Sequence, residues 1–218
     1  MQITFPCNKC GVNLEIDSGA AGSAVPCPEC QEILTVPVAE IKEGTTLGGF
    51  QIERLLGKGG MGEVYLARQL SMDRPVALKI LPAEVRRDKS QAERFLQEVR
   101  VLAKLEHPNI VAAYEAGEDG GVLFLAMGYV QGQSLDERIK HEGRLPWKES
   151  CGLIKKLANA LDYAWNEHRV LHRDIKPANV LLDSRGEPKL VDLGLAKSLG
   201  SHEGLTMSGT IMGTPNYM

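Results

Sequence analysis

The chain has 218 residues, 43% of them apolar and 24% charged, with a net charge of −3 at pH 7. That balance belongs to an ordinary globular protein, one large domain or a large domain with a small companion, and it supplies no basic field for nucleic acid or acidic lipid. No run nears the ~20 apolar residues of a membrane span, and the start MQITFPCNKC lacks the basic and apolar regions of a secretory signal, so the expected compartment is the cytoplasm, with a membrane anchor in a longer version left open.

Four of the five cysteines fall within the first thirty residues as two Cys-x-x-Cys pairs, Cys7 with Cys10 and Cys27 with Cys30. Sixteen residues separate the pairs, a spacing that suits a four-cysteine zinc site. About thirty residues bury too little core to fold unaided, so a bound metal would supply the missing stability. Two disulfides or a redox pair are the competing readings; a cytoplasmic chain argues against the first and the small size against the second. Short strand-like runs, Leu14 to Ile16 and Ile33 to Val36, flank the cysteines. Residues 1–37 look like a zinc ribbon. Against Lys9 stand Glu15, Asp17, Glu29, Glu32 and Glu40, the wrong sign for a phosphate backbone; a structural role or a protein partner is expected instead.

Residues 38–48 read as a linker, closed by the pair Gly48-Gly49. From Phe50 the pattern predicts strands: Phe50, Ile52 and Leu55 mark a first, Val64, Leu66 and Ala67 a second, Val76 to Leu81 a third. Ser90 with Glu93 is a capping-box signature, opening a helix with Phe95, Val99, Leu102 and Leu105 at helical spacing. Val122 to Met127 is expected to be a buried strand. Leu153, Ile154, Leu157, Leu161 and Trp165 predict a long amphipathic helix, with Cys151 a small core residue near its start. Short strands follow at Val180 to Leu182 and Lys189 to Val191. No internal repeat or low-complexity segment is evident.

Between the first two strands lies Gly57-x-Gly59-x-x-Gly62-x-Val64. Glycines let a backbone pass close over phosphates and aim its N–H groups at them. A dinucleotide fold shares this spacing, but there the glycines lead into a helix, whereas Glu63 to Arg68 alternate as a strand. Lys79 stands in the apolar run Val76-Ala77-Leu78-Lys79 and must either find an anion or snorkel to the surface. Glu98 lies beside the buried stripe of the following helix and is a carboxylate that could hold it. His172 to Asn179 reads HRDIKPAN, and Asp192-Leu193-Gly194 begins thirteen residues after Asn179. Together these motifs supply two carboxylates, an amide and a lysine, the set that phosphoryl transfer needs.

In this order the glycine loop, VALK, the helix glutamate, HPNIV, HRDIKPAN, DLG and GTPNYM resemble the protein kinase family from about Gly48 to the end, and GKGGMGEVYLA resembles the bacterial kinases of eukaryotic type. The resemblance implies an α+β, two-lobed fold over 49–218, with a β-rich N-lobe and an incomplete helical C-lobe, preceded by the zinc ribbon. It implies transfer of the ATP γ-phosphate to serine or threonine hydroxyls of a protein substrate, with Mg2+. By position, Leu56, Gly57, Lys58, Gly59, Gly60, Met61, Gly62, Glu63 and Val64 would cover the nucleotide. Lys79 would hold the α- and β-phosphates and Glu98 would pair with it. Asp174 would accept or orient the substrate hydroxyl proton, Lys176 would neutralise the transferring phosphoryl group, and Asn179 and Asp192 would bind Mg2+. Structural Zn2+ would sit on Cys7, Cys10, Cys27 and Cys30. Arg173 beside Asp174 implies control by phosphorylation, with Thr206, Ser208 and Thr210 the candidate acceptors.

Several positions depart from the family pattern. Leu193 replaces the usual phenylalanine, and Gly128 stands where the hinge often has glutamate, next to Met127 at the back of the adenine pocket. His172 is expected to be structural, His107 a turn residue, and His141, His168 and His202 surface groups. The chain stops at Met218, before the position of Ala-Pro-Glu, so a truncated product with apolar helix surface exposed is expected. Competing readings are a nucleotide-binding pseudokinase scaffold, which the intact Lys79, Asp174, Asn179 and Asp192 oppose, and a zinc-centred interaction module.

Overall fold

In the computed structural model the described residues are 2–17, 20–38, 41–59, 62–81 and 89–193. They form two compact units, Met1–Ala92 with Ala116–Ala126, and Glu93–Glu115 with Met127–Met218.

The first unit opens with two hairpins. β1 (Gln2–Pro6) pairs antiparallel with β2 (Asn13–Asp17), and β3 (Ala24–Pro26) with β4 (Ile33–Thr35). Contrary to the sequence reading, they are a repeat with an offset of twenty residues. Pro6, Cys7, Cys10 and Leu14 recur as Pro26, Cys27, Cys30 and Leu34. The backbone repeats as well: Cys7 N–H donates to Val12 O and Cys27 N–H to Glu32 O, both at 2.8 Å. Gly11 and Gln31 hold positive φ at equivalent places, 76° and 58°. The repeat escapes a reading by identity because so few of its positions match. Cys7, Leu14, Cys27 and Leu34 bury a small core of their own.

A six-stranded sheet in the order β5-β6-β7-β8-β10-β9 follows. Its strands are β5 (Thr46–Leu47), β6 (Phe50–Gly59), β7 (Gly62–Gln69), β8 (Arg74–Ile80), β9 (Ala113–Asp119) and β10 (Val122–Gly128). Alternation places Phe50, Ile52, Tyr65, Ala67, Val76, Leu78, Ile80, Val122, Phe124 and Ala126 in one core, because successive side chains point to opposite faces. Phe50 and Phe124 meet edge to face at 5.6 Å. The span read as a linker is partly sheet: Leu47 is buried in this core and Ile41 packs against it. β9 carries no strand signal because its sequence, AYEAGED, is polar and half-exposed.

The second unit holds α1 (Lys89–Leu102), α2 (Leu135–Glu142), α3 (Trp147–His168) and a sheet in which β11 (Gly132–Ser134), β12 (Val180–Asp183) and β13 (Pro188–Leu190) pair antiparallel. On α1, Phe95, Val99 and Leu102 are buried as their spacing predicts. The helix already begins at Lys89, so Ser90 lies in its first turn rather than before it. A capping box does occur at α2, where Ser134 Oγ accepts from Glu137 N–H (3.1 Å) and Glu137 Oε2 from Ser134 N–H (2.7 Å). α3 buries Leu153 of the predicted stripe together with the small Ala160 and Ala164, while Leu157 and Leu161 are half-buried. Ile154, Trp147 and Trp165 are exposed, and so is Cys151, which corrects its expected place in a core. His168 is also corrected from surface to partner: its Nε2 lies 3.3 Å from Tyr163 Oη, whose ring stacks near His107.

Candidate functional site

The glycine-rich segment is the hairpin tip between β6 and β7. Its register pairs Gly57 with Val64, Lys58 with Glu63 and Gly59 with Gly62; Gly60 and Met61 lie outside the described residues. The three glycines are there for different reasons. At Gly62 φ is 108°, and a Cβ would sit 2.0 Å from the carbonyl oxygen of Ile80, so the fold itself excludes a side chain. At Gly57 and Gly59 a Cβ would meet nothing within 4 Å, so packing within the protein makes no such demand. Leu56 is partly exposed at the base of the tip. Across the hairpin Lys58 Nζ pairs with Glu63 at 2.7 Å, and Tyr65 Oη donates to the same carboxylate at 2.5 Å. The Lys58 ammonium and then the Tyr65 hydroxyl hold the Glu63 carboxyl below its usual range. Burial, with Glu63 as acceptor, pushes the Tyr65 phenol up to about 12.

Lys79 lies on β8 opposite Val64, on the face away from the apolar core. It is 2% exposed, so its ammonium is withdrawn from water rather than snorkelling, a placement that requires anionic or oxygen partners. On α1 of the second unit, Glu98 is half-buried beside Val99. It lines a cavity of about 260 Å³ with Leu102, Leu171, Arg173 and Leu193.

The HRDIKPAN segment connects α3 to β12. Arg169, left-handed at φ 57°, ends the helix by donating its N–H to Ala164 O and Trp165 O. Asp174 is 6% exposed and is held from two sides. The Asn179 amide Nδ2 donates to its backbone oxygen (2.8 Å) and to Oδ2 (3.0 Å), and Lys176 Nζ lies 2.7 Å from Oδ2. Asn179 is fixed in turn by its N–H to Lys176 O and by Val191 N–H to its carbonyl. With Nδ2 spent on Asp174, the amide oxygen of Asn179 is a donor of the kind a hard cation takes, and Asp192 adds a half-buried carboxylate. These donors therefore fit Mg2+.

Arg173 and Asp192 carry positive φ, 65° and 59°. Side-chain-bearing residues adopt this conformation at a cost, most often where function holds them. His172 is 2% exposed; burial pulls its pKa down, and nearby backbone hydrogen-bonding groups with the charges of Asp192 and Asp174 oppose that only in part. At Gly128, a Cβ would come 3.3 Å from Tyr114 Oη, so the tyrosine occupies the space a hinge glutamate would take. Gly194, Thr206, Ser208, Thr210 and Thr214 lie outside the described residues.

The four N-terminal cysteines converge. Cys7 and Cys30 have sulfurs 3.6 Å apart, as do Cys10 and Cys27, and all four lie within 4.8 Å of one another. All are free thiols. A tetrahedral ion with Zn–S bonds of ~2.3 Å sets its sulfurs ~3.8 Å apart, so the donors fit zinc. The amides of Cys10 and Lys9 pull the Cys7 thiol down to about 6. The Val12 amide acts the same way on Cys10, but burial and the neighbouring sulfurs outweigh it and push that thiol up to about 12. Sequence reasoning named the four cysteines that converge here; it missed Tyr65 and Tyr114, whose placement depends on strand pairing.

The sequence profile described as protein kinase domain matches residues 50–218. The serine/threonine-protein kinase PrkC of Bacillus subtilis is 37% identical over 171 residues, covering 78% of this chain and 26% of that protein. PknF of Mycobacterium tuberculosis is 42% identical over 183 residues, covering 81% of this chain and 38% of that one. The crystal structure of the M. tuberculosis PknI kinase domain superposes with a TM-score of 0.65 at 36% identity, over 72% of this chain and 62% of that one. The chain thus spans roughly a quarter to two-fifths of the curated relatives' length.

Proposed function

The chain belongs to the protein kinase family, and on that premise we propose that it carries the nucleotide loop and catalytic loop of a serine/threonine protein kinase that transfers the γ-phosphate of ATP to protein hydroxyls. The observation that carries the reading is the buried carboxylate of Asp174 between Lys176 and Asn179. A hydroxyl arriving at Asp174 meets a buried carboxylate held in place by Asn179 and Lys176, a group suited to accept or orient its proton. Lys176 is placed to offset charge developing on the transferred phosphoryl group, and Lys79 takes the α- and β-phosphates. Asn179 and Asp192 would hold Mg2+, which would supply positive charge to offset that of the phosphates. Cys7, Cys10, Cys27 and Cys30 would hold Zn2+ as a structural ion. No helix among the described residues is long and apolar enough to cross a membrane; four free thiols suit a reducing compartment, and we assign the chain to the cytoplasm.

The test is intact mass after incubation with Mg2+ and ATP, beside an Asp174→Asn control. Phosphate gained by the parent alone, or passed by the parent alone to a generic acceptor such as myelin basic protein, supports the proposal. Nucleotide binding without transfer by either protein would replace it with a scaffold role.

A further inference from the structure

The cysteine module is seated on the sheet of its own unit rather than tethered beside it. The β9–β10 hairpin turns through Gly120 and Gly121, both at positive φ (54° and 71°). A Cβ on Gly121 would lie 2.4 Å from the Cβ of Ala21 and 3.3 Å from its carbonyl oxygen. Ala21 belongs to the turn between the two cysteine hairpins, where Gly22 N–H donates to Val36 O and Val36 N–H to Ser23 O. The hairpin turn thus meets the module with its Gly121 backbone against the Ala21 methyl, at a distance that admits no side chain on Gly121.

The chain leaving the module is fastened to the same hairpin. Gly48 N–H donates to Asp119 Oδ2 at 2.8 Å, and a Cβ on Gly48 would fall 2.3 Å from the Phe124 ring. Between these anchors Gly44 N–H bonds Ile52 O and Ile52 N–H bonds Thr45 O, while Ile41 packs on the sheet core. Residues 41–48 of the connection are therefore pinned to the sheet.

We infer that the β9–β10 hairpin is a built-in docking surface for the cysteine module, so that metal held by Cys7, Cys10, Cys27 and Cys30 braces the sheet that carries the glycine loop and Lys79. A module of this size depends on its metal for folding. Emptying it removes the Ala21 contact and frees one end of the connection. The shared sheet then loses stability with the metal. This inference goes beyond phosphoryl transfer and stands or falls without it.

The experiment is hydrogen exchange on the full chain, read on peptides covering residues 46–52 and 116–126, with one equivalent of Zn2+ and after chelation. Ala21→Arg, which leaves all four cysteines in place, is measured with Zn2+, and Ala21→Val serves as the milder variant should the arginine chain precipitate. The expected result is about tenfold faster exchange in both peptides after chelation, and the same acceleration in the Ala21 variant although it still binds one Zn2+ per chain. Sheet peptides indifferent to chelation overturn the coupling to metal. A metal-loaded Ala21 variant exchanging like the parent overturns the docking surface.

Discussion

Asn179 spends both bonds of its amide nitrogen on Asp174, one on the backbone oxygen and one on the carboxylate. The amide is thereby a positioning group as well as a candidate cation ligand, and neither job survives a change of charge. Asn179→Asp sets two carboxylates about 3 Å apart in a buried site, with Lys176 able to offset only one. Phosphate transfer should fall by at least about a hundredfold, and thermal stability by about 3 kcal/mol. Calorimetry with a radiolabelled transfer assay measures both; a variant of parental stability would mean that Asp174 is less enclosed than described.

The glycines of the loop should separate by experiment. Gly62→Ala forces a side chain against the Ile80 carbonyl at a positive φ and should cost about 2–4 kcal/mol. Gly59→Ala meets no protein atom and should leave the melting temperature within about 2 °C while weakening ATP binding about tenfold. Melting curves and nucleotide titration, run on both variants, distinguish the demand of the fold from the demand of the ligand.

Loading the cysteine site should release protons. Near pH 7 the Cys7 thiol, held at about 6, is mostly ionised, whereas Cys10, near 12, must give its proton up to bind metal. Zn2+ added to metal-free chain in weak buffer should acidify the solution, and Cys10→Ser should release less. Metal affinity should fall steeply as pH drops below about 6.

Stability should fall in acid through His172. Its folded pKa lies below the ordinary value because burial opposes the charged ring, so the unfolded chain binds the extra proton first. Stability from this group is full above pH ~6.5 and declines as pH falls below it. His107, also shifted down by burial, adds with the same sign. His172→Phe should flatten the loss between pH 7 and 5 in thermal melts; an unchanged slope would assign it to other groups.

The parts of this protein that were legible in sequence are those with local chemistry. The four cysteines, the glycine tip and the HRDIKPAN turn each bring their residues together within a single loop or pair of loops. The core strands β8 and β10 were legible because nearly every residue is apolar. What stayed hidden depends on pairing between distant segments. β9 is a polar strand made by its neighbour, and β5 is two residues that become sheet only beside β6. On α3 the stripe was legible in part: Leu153 is buried and Leu157 and Leu161 half-buried, but the spacing alone did not show that small Ala160 and Ala164 would be buried while Ile154 and Trp165 stay exposed. Cys151 is exposed as well.

The twenty-residue duplication in the cysteine module has a consequence for how it takes up metal. Each hairpin is half a site, a two-sulfur clamp of modest strength. The second clamp meets an ion already held by the first at an effective concentration set by the short turn around Ala21, not by the solution. Uptake should therefore be all or none, and any force that spreads the hairpins by a few ångströms would eject the ion abruptly rather than by degrees.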